Sequence, residues 1–289
     1  MRYPGLQAFL QDGKAALAKG PIAMVFAEDP VEIESTVRHH LDLGFRKLLL
    51  FAPAELTLSR LINEEVERID YMSLAPGAVP HAVNALIDAA PGIWMYYCYN
   101  AEYLFFPFCE TRTIGEMLAF HTEERRDAML SYVIDLYAGD LGRFPNAVSL
   151  DTANLDRAVY YALGRRAFHD TDQLMDRQLD FFGGLRWRFE EHVPPEKRKI
   201  DRISIFRAKP GLRLREDYTF TEEEYNTYAC PWHNNLTAAV CSFRTAKALK
   251  TNAASMFDIW NFTWHNSVPF EWHSQQLMNL GLMEPGQWF

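Results

Sequence analysis

The feature that most constrains this chain is an alternation, over its first hundred residues, of short unbroken apolar runs with segments of helical periodicity. PIAMVFA (21–27) is apolar throughout, the mark of a strand buried on both faces. DPVEIESTVRHHLDLG follows, with Asp29 and Pro30 placed as N-cap and first-turn proline and Gly44 as the stop. Val31, Val37 and Leu41 carry the helical spacing, with Glu34 facing outward. FRKLLLFAP (45–53) predicts a second buried strand, residues 56–68 a helix, RIDYMSL a short third strand and PHAVNALIDAAPG (80–92) a helix ending at Gly92. WMYYCYNAEYLFFPF (94–108) then reads as a fourth strand, with one acid, Glu102, near its exit. The expected class is therefore α/β, a mostly parallel sheet flanked by helices in the Rossmann manner.

Beyond Pro107 the pattern is less regular. TIGEMLAFHTEERRDA predicts a helix whose EERRD run (123–127) is a solvated face. AMLSYVIDLYAGD (128–140) fits either period, and its β-branched and aromatic content favours a strand. FFGGLRWRF (181–189) predicts a tight turn and then a basic-aromatic strand. TEEEYNTYACPWHNNLTAAVCSFRTAKALKTN predicts a loop, an apolar run and a basic helix. No repeat or low-complexity linker separates these parts. The expected organisation is an N-terminal helix over 1–20, one domain over 21–250, and a C-terminal helical elaboration over 251–289 packed on the core.

Hydrophobic residues at 48% supply enough apolar surface for a real core and exclude a disordered chain. A net charge of −9 weighs against nucleic-acid binding, which needs a basic surface. No window is apolar enough to span a membrane and no signal peptide is visible, so no transmembrane segment is expected. Four cysteines without a disulfide-like pattern suit a reducing compartment, and the expected location is the cytoplasm.

Glu102 is the first candidate site residue. In an open parallel sheet, ligands sit outside the carboxyl ends of the strands, and the alternative roles are a solvent-facing acid at a strand exit or a local salt bridge. Cys230 and His233 form CPWH, but structural zinc needs four ligands and no second pair stands nearby. His233 reads better as a polar contact in a cleft. One of His39 and His40 is expected to pack against the sheet. FFGG lacks the spacing and the Lys-Ser/Thr of a phosphate loop. On the strand predicted after it, Arg186 and Arg188 would share one face and could meet a phosphate or an acid.

In order along the chain, these segments resemble the family-2 glycosyltransferases of GT-A fold. AEDPVEIESTVRHHLDLGF is similar to that family's first-strand turn and following helix, with Asp29 at the acidic position, His40 at the histidine and Gly44 at the glycine. WMYYCYNAEYL resembles its tryptophan-led strand ending Asp-x-Asp-Glu-Phe-Leu: Trp94, Glu102, Tyr103 and Leu104 match, while Tyr99 and Ala101 stand at the two aspartates. Ala52 stands where the family's Asp-Asn-x-Ser turn begins. DRQLDFFGGLRWRF, RIDRISIFRAKPGLRL and PWHNNLTAAVCSFRTAKAL resemble later segments, so the likeness runs over residues 20 to 250.

The resemblance implies a GT-A-like fold that takes a nucleotide-sugar donor and a glycan or lipid-linked acceptor. A lipid-linked acceptor would bring the protein to a membrane surface without a spanning segment. The implied donor-binding residues are Glu28, Asp29, Asn100, Glu102, Arg186, Arg188, His233 and Arg244. The family's metal is manganese or magnesium; here Glu102 is the carboxylate left at that motif, with Asp135 or Asp140 as alternative sources of the missing ligands, and no organic cofactor is implied. With two aspartates missing, Arg186, Arg188 and Arg244 are candidates to hold the diphosphate without metal. The general base is open among Asp135, Asp140, Glu190 and Glu191. The alternative implied by the missing acids is a GT-A-like module that binds a nucleotide, glycan or partner protein without transfer.

Overall fold

Ile22 through Ala27 are wholly buried, as an unbroken apolar run requires of a strand paired on both sides. The computed structural model describes residues 1–167, 172–227 and 235–288. Its elements begin with β1 (Arg2–Tyr3), α1 (Leu6–Asp12), β2 (Ile22–Phe26), α2 (Ile33–Asp42), β3 (Lys47–Ala52), α3 (Arg60–Glu65), β4 (Glu67–Asp70), α4 (Ala78–Ala89) and β5 (Trp94–Tyr99). There follow β6 (Glu102–Phe105), α5 (Ile114–Glu123), β7 (Ala128–Asp135), β8 (Tyr137–Ala138), β9 (Ala153–Asp156), β10 (Tyr161–Arg166), β11 (Leu174–Phe182) and α6 (Gly184–Arg188). The chain ends with β12 (Asp201–Arg207), α7 (Glu223–Asn226), β13 (Ala238–Ser242), α8 (Arg244–Thr251), β14 (Ser267–Pro269) and α9 (Ser274–Asn279).

The chain forms two compact units. The first comprises Met1–Tyr103, Thr111–Leu130 and Ile203–Asn226, the second Leu104–Glu110, Ser131–Arg202 and Thr227–Phe289. The boundaries expected at residues 20 and 250 do not coincide with this interleaved division.

The first unit is α/β, built on a large, mostly parallel mixed sheet flanked by helices. Its strand order is β1-β4-β3-β2-β5-β12, parallel from β1 to β5, with β12 antiparallel to β5. Phe26 of β2 lies in register with Phe51 of β3 and Tyr99 of β5. Their rings share one face at the carboxyl edge. Phe26 stacks on Phe51 at 4.6 Å, Phe51 meets Tyr71 at 5.4 Å, and Phe26 meets Tyr99 at 6.4 Å. Burying each phenylalanine contributes roughly 1.5–3 kcal/mol.

In the second unit β13 runs parallel to β7, with Val240 beside Val133 and Ser242 beside Asp135. β10 and β11 form an antiparallel pair, and β9 lies between β8 and β14. The ambiguous segment 128–140 is strand, as its composition favoured. Among the described residues no helix is long and apolar enough to cross a membrane.

Several expectations need correction. The N-terminal segment is not one helix: Arg2 and Tyr3 join the sheet beside Arg68 and Ile69, because Arg2 pairs with Asp70 at 2.9 Å. α2 starts at Ile33 and not at Asp29, since Asp29 Oδ1 accepts the Val31 N–H and Glu32 turns into the left-handed region at φ 55°. Residues 94–108 are two strands separated at Asn100–Ala101. β5 pairs with β2 and β12, whereas the second half of β6 belongs with β13 in the second unit. GLRWR is the helix α6 and not a strand, so Arg186 and Arg188 point to different sides. Over 251–289 the elements are a strand, β14, as well as the helix α9; Leu277, Leu282, Met283 and Trp288 are buried.

α2 also carries a buried histidine. His40 Nδ1 lies 2.7 Å from the Thr36 carbonyl, which can only accept, so Nδ1 bears the proton. Nε2 then accepts from the Cys98 thiol at 3.9 Å, and Tyr96 stacks on the ring at 5.2 Å. Burial pushes the His40 pKa down to about 3. Its stabilising contribution is whole above the unfolded pKa of about 6.5 and is lost as pH falls toward 3, with a slope of up to about 1.4 kcal/mol per pH unit. Urea denaturation across pH 6.5 to 4.5 should show a falling midpoint, with a shallower fall in His40→Gln. The buried His121, lowered to about 4, accounts for part of the slope that remains.

Candidate functional site

Sequence order and sheet order diverge at β2. The chain proceeds to one side through β3 and β4, then places β5 on the other side. The carboxyl ends of β2 and β5 therefore open into diverging loops, the place where open parallel sheets bind ligands. Glu28 and Asp29 follow β2; Asn100, Ala101 and Glu102 follow β5. Five residues named from sequence thus meet at one point of the first unit.

Asn100 ties the two loops together. It is wholly buried; its Oδ1 accepts the Glu28 N–H at 2.9 Å, while Nδ2 donates to Asp29 Oδ1 and to the Val31 carbonyl, each at 2.8 Å. Aspartate could not replace it, because a carboxylate has no donors and would face Asp29. Glu28 and Asp29 themselves are half-buried.

The loop backbone is strained in a specific way. Ala101 has φ 60° and Glu32 φ 55°, left-handed values that cost a non-glycine residue on the order of 1 kcal/mol or more. Thr36 supports both residues: its hydroxyl accepts the Ala101 N–H at 2.9 Å and donates to the Glu32 carbonyl at 2.6 Å. Ser35 adds bonds to Glu32 Oε2 and to the Tyr103 hydroxyl. Strain of this kind is held only where the surrounding contacts over-determine it, and it gathers at functional sites.

Glu102 does not stand at a strand exit facing a cleft. It opens β6, is wholly buried, and its Oε2 accepts the Tyr99 N–H at 2.9 Å, closing the turn between the strands. With Tyr99 and Ala101 on either side of Asn100, the residues at this turn do not fit a divalent cation, which prefers several oxygen ligands. Among the described residues no group of three or more His, Cys, Asp or Glu could hold a metal.

The remaining candidates lie in the second unit. Asp135, at the carboxyl end of β7, is buried with its Oδ1 3.5 Å from Arg186 Nε and its Oδ2 accepting the Arg186 N–H at 3.3 Å. Burial pushes its pKa up, against the pull of Arg186. Gly184, at φ 62°, lets the backbone approach this carboxylate; a Cβ there would stand 3.0 Å from Oδ2. Arg186 also bonds the Thr245 hydroxyl and the Lys199 carbonyl. Arg188 pairs with the buried Asp156 at 3.3 Å, bonds the Phe262 carbonyl at 2.6 Å, and lies over the Trp264 ring at 4.5 Å. Both arginines are thus committed to buried partners and are not grouped on one face toward a phosphate.

Asp140 is exposed and caps a turn through the Gly142 N–H at 2.8 Å. Glu190 and Glu191 are exposed on the turn 190–192, with Glu190 3.5 Å from Arg198. Arg244 opens α8, its N–H bonded to the Ser242 hydroxyl at 3.2 Å. Cys230 and His233 lie outside the described residues.

Two features were not read from sequence. A tight hairpin, with Leu214 bridged to Phe220, sets Tyr218 against Tyr99, hydroxyl to hydroxyl at 2.5 Å. Past the carboxyl end of β4, an open depression of about 260 Å³ is lined by Tyr71, Met72, residues 75–78 and His81. Its Tyr71 belongs to the same aromatic series as Phe51 and Phe26. The Asp-Tyr-Thr turn at 217–219 was the available signal for the hairpin, but its partner Tyr99 lies over a hundred residues away.

Comparison of the sequence with protein-family models and with curated proteins gives no match.

Asn100→Ala should destabilise the protein by about 2–4 kcal/mol, because it leaves the Glu28 N–H and Val31 carbonyl without their buried partner. Urea unfolding would measure it. A loss below about 0.5 kcal/mol would mean that the two loops are held by other contacts.

Proposed function

We propose that the chain is a GT-A-like glycosyltransferase that takes a nucleotide-sugar at the carboxyl edge of β2 and β5 and transfers the sugar to a glycan or lipid-linked acceptor without a metal. The observation that carries this reading is the Asn100 tie at the switch point, where two strained loops are fixed by a buried amide. Such preorganisation has a use where a ligand must be positioned, and the colinear sequence resemblance gives the ligand class. The depression beside the half-buried Tyr71 offers flat apolar surface of the kind a nucleotide base stacks on. The absence of carboxylates at Tyr99 and Ala101 is the reason for writing the reaction without metal.

A second reading, binding without transfer, is favoured by one specific observation. Asp135 and Glu102 are both buried and engaged, so neither is poised to take a proton from an acceptor hydroxyl. The exposed Asp140, Glu190 and Glu191 remain the candidates for a base, each testable by replacement with the amide.

The purified protein titrated with UDP, GDP, ADP and TDP, in EDTA and in manganese, should bind one of them equally in both. At ligand 100 times its Kd, the thermal midpoint should rise by about 5 °C. Release of that nucleotide from its sugar donor supports transfer; binding without release across a donor panel supports the second reading. A midpoint unmoved by all four nucleotides contradicts both.

A further inference from the structure

Phe257 and Trp260 follow α8 at 70% and 85% exposure, and Trp260 is the most exposed large apolar side chain among the described residues. An isolated surface aromatic is ordinary. What sets this pair apart is the fixed loop that presents it. Ser255, Ile259 and Phe262 are buried and anchor the segment, with Ile259 and Phe262 in the same apolar cluster as Leu249 of α8. Residues 257 and 260 fall on the outward side. Lys250 Nζ donates to the Met256 carbonyl at 2.7 Å and to the Ile259 carbonyl at 2.8 Å, and Ser255 Oγ donates to the Leu249 carbonyl at 2.7 Å. The N–H groups of Ser255 and Met256 bond the Asn252 carbonyl at 3.1 and 2.9 Å.

The polar groups beside the rings narrow the choice of ligand. Asp258 lies between them in sequence and is exposed; its Oδ2 is 3.8 Å from Nε2 of His192, which is itself 3.8 Å from Glu191. Asn252 and Asn261 are exposed at the two ends of the loop. Carrying Asp258 into a bilayer along with the rings would be costly, so the pair is not placed as a lipid wedge. The same acids repel an anionic ligand. An aromatic face flanked by carboxylate and amide groups suits a neutral sugar. The C–H groups on one side of a pyranose carry partial positive charge and can lie on the negative face of an indole or phenyl ring. Its hydroxyls both donate and accept.

We propose that the Phe257–Trp260 loop is a binding platform for a neutral glycan chain, the two rings stacking on sugar rings and Asp258 accepting from sugar hydroxyls. The site lies wholly in the second unit and holds whether or not the first unit binds a nucleotide. Because the loop is held before the ligand arrives, little order is lost on binding, which matters where each contact is weak. Two outward rings three positions apart can engage more than one sugar unit, so affinity should rise with chain length.

Affinity electrophoresis of the full chain tests this, with laminarin, hydroxyethylcellulose, dextran, galactomannan or glycogen in the native gel. The wild type should be retarded by at least one of them. Trp260→Ala and Phe257→Ala should each weaken that binding about tenfold or more, and Trp260→Phe, which keeps a ring, by less. Asp258→Asn keeps an acceptor and should cost about threefold or less, whereas a basic partner would lose its charge contact. The replaced side chains are mostly exposed, so each thermal midpoint should stay within about 2 °C of the wild type. Tyr161→Ala, exposed on β10, should bind as the wild type does. Failure of every polysaccharide to retard the wild type overturns the inference, as does retardation that survives both alanine substitutions. Trp260-dependent binding of phosphatidylcholine vesicles in its place reassigns the loop to a lipid surface, and Trp260-dependent dimerisation in sedimentation reassigns it to a second copy; either overturns the inference. None of these outcomes touches the nucleotide reading, which the diphosphate titrations test on their own.

Discussion

The side-chain amide of Asn100 fixes the geometry on which the functional account depends. Where a parallel sheet reverses its order, two loops leave neighbouring strands in different directions, and their backbone groups lose their strand partners. Asn100 meets that need with one acceptor and two donors, each directed at the β2 loop. Ala101 and Glu32 can then be held in left-handed conformations, with Thr36 bonded to both. Glu102 closes the same turn through the Tyr99 N–H. The acid that marks this segment in the sequence thus shapes the site from inside the fold.

The structure separates two uses of charge. In the second unit, Asp135 with Arg186 and Asp156 with Arg188 are buried ion pairs with further hydrogen bonds to backbone carbonyls. Pairs of this kind are retained at a desolvation cost, and removing one partner destabilises far more than the pair stabilises. At the carboxyl edge of the first unit carboxylates are held by neutral groups: the Asn100 amide donates to Asp29, Ser35 to Glu32, and the Tyr99 N–H to Glu102.

Most of the first unit was legible in the sequence because its signals are local. β2 and β3 announce themselves as unbroken apolar runs, and Gly44 and Gly92 end or follow helices at left-handed φ. The grouping of Glu28, Asp29, Asn100 and Glu102 around one turn follows from the order of the strands that carry them. What could not be read was set by distant contacts. Ala101 carries no glycine-like signal for its φ, which Thr36 stabilises from 65 positions away. GGLRWRF looks like a turn and a strand, since arginine and aromatic residues alternate. It is helical, and from it Arg186 and Arg188 reach Asp135 and Asp156 on different sides. β1 was too short to show any period, and its place in the sheet comes from pairing with β4.

The central proposal is that a ligand binds at the carboxyl edge of β2 and β5. Hydrogen exchange of the full chain, with and without the nucleoside diphosphate that raises its thermal midpoint, tests this most directly. The account predicts added protection in residues 28–36, 99–103 and 214–220, with β10 and β11 unchanged. Protection that leaves the 28–36 and 99–103 loops untouched and appears elsewhere would contradict it.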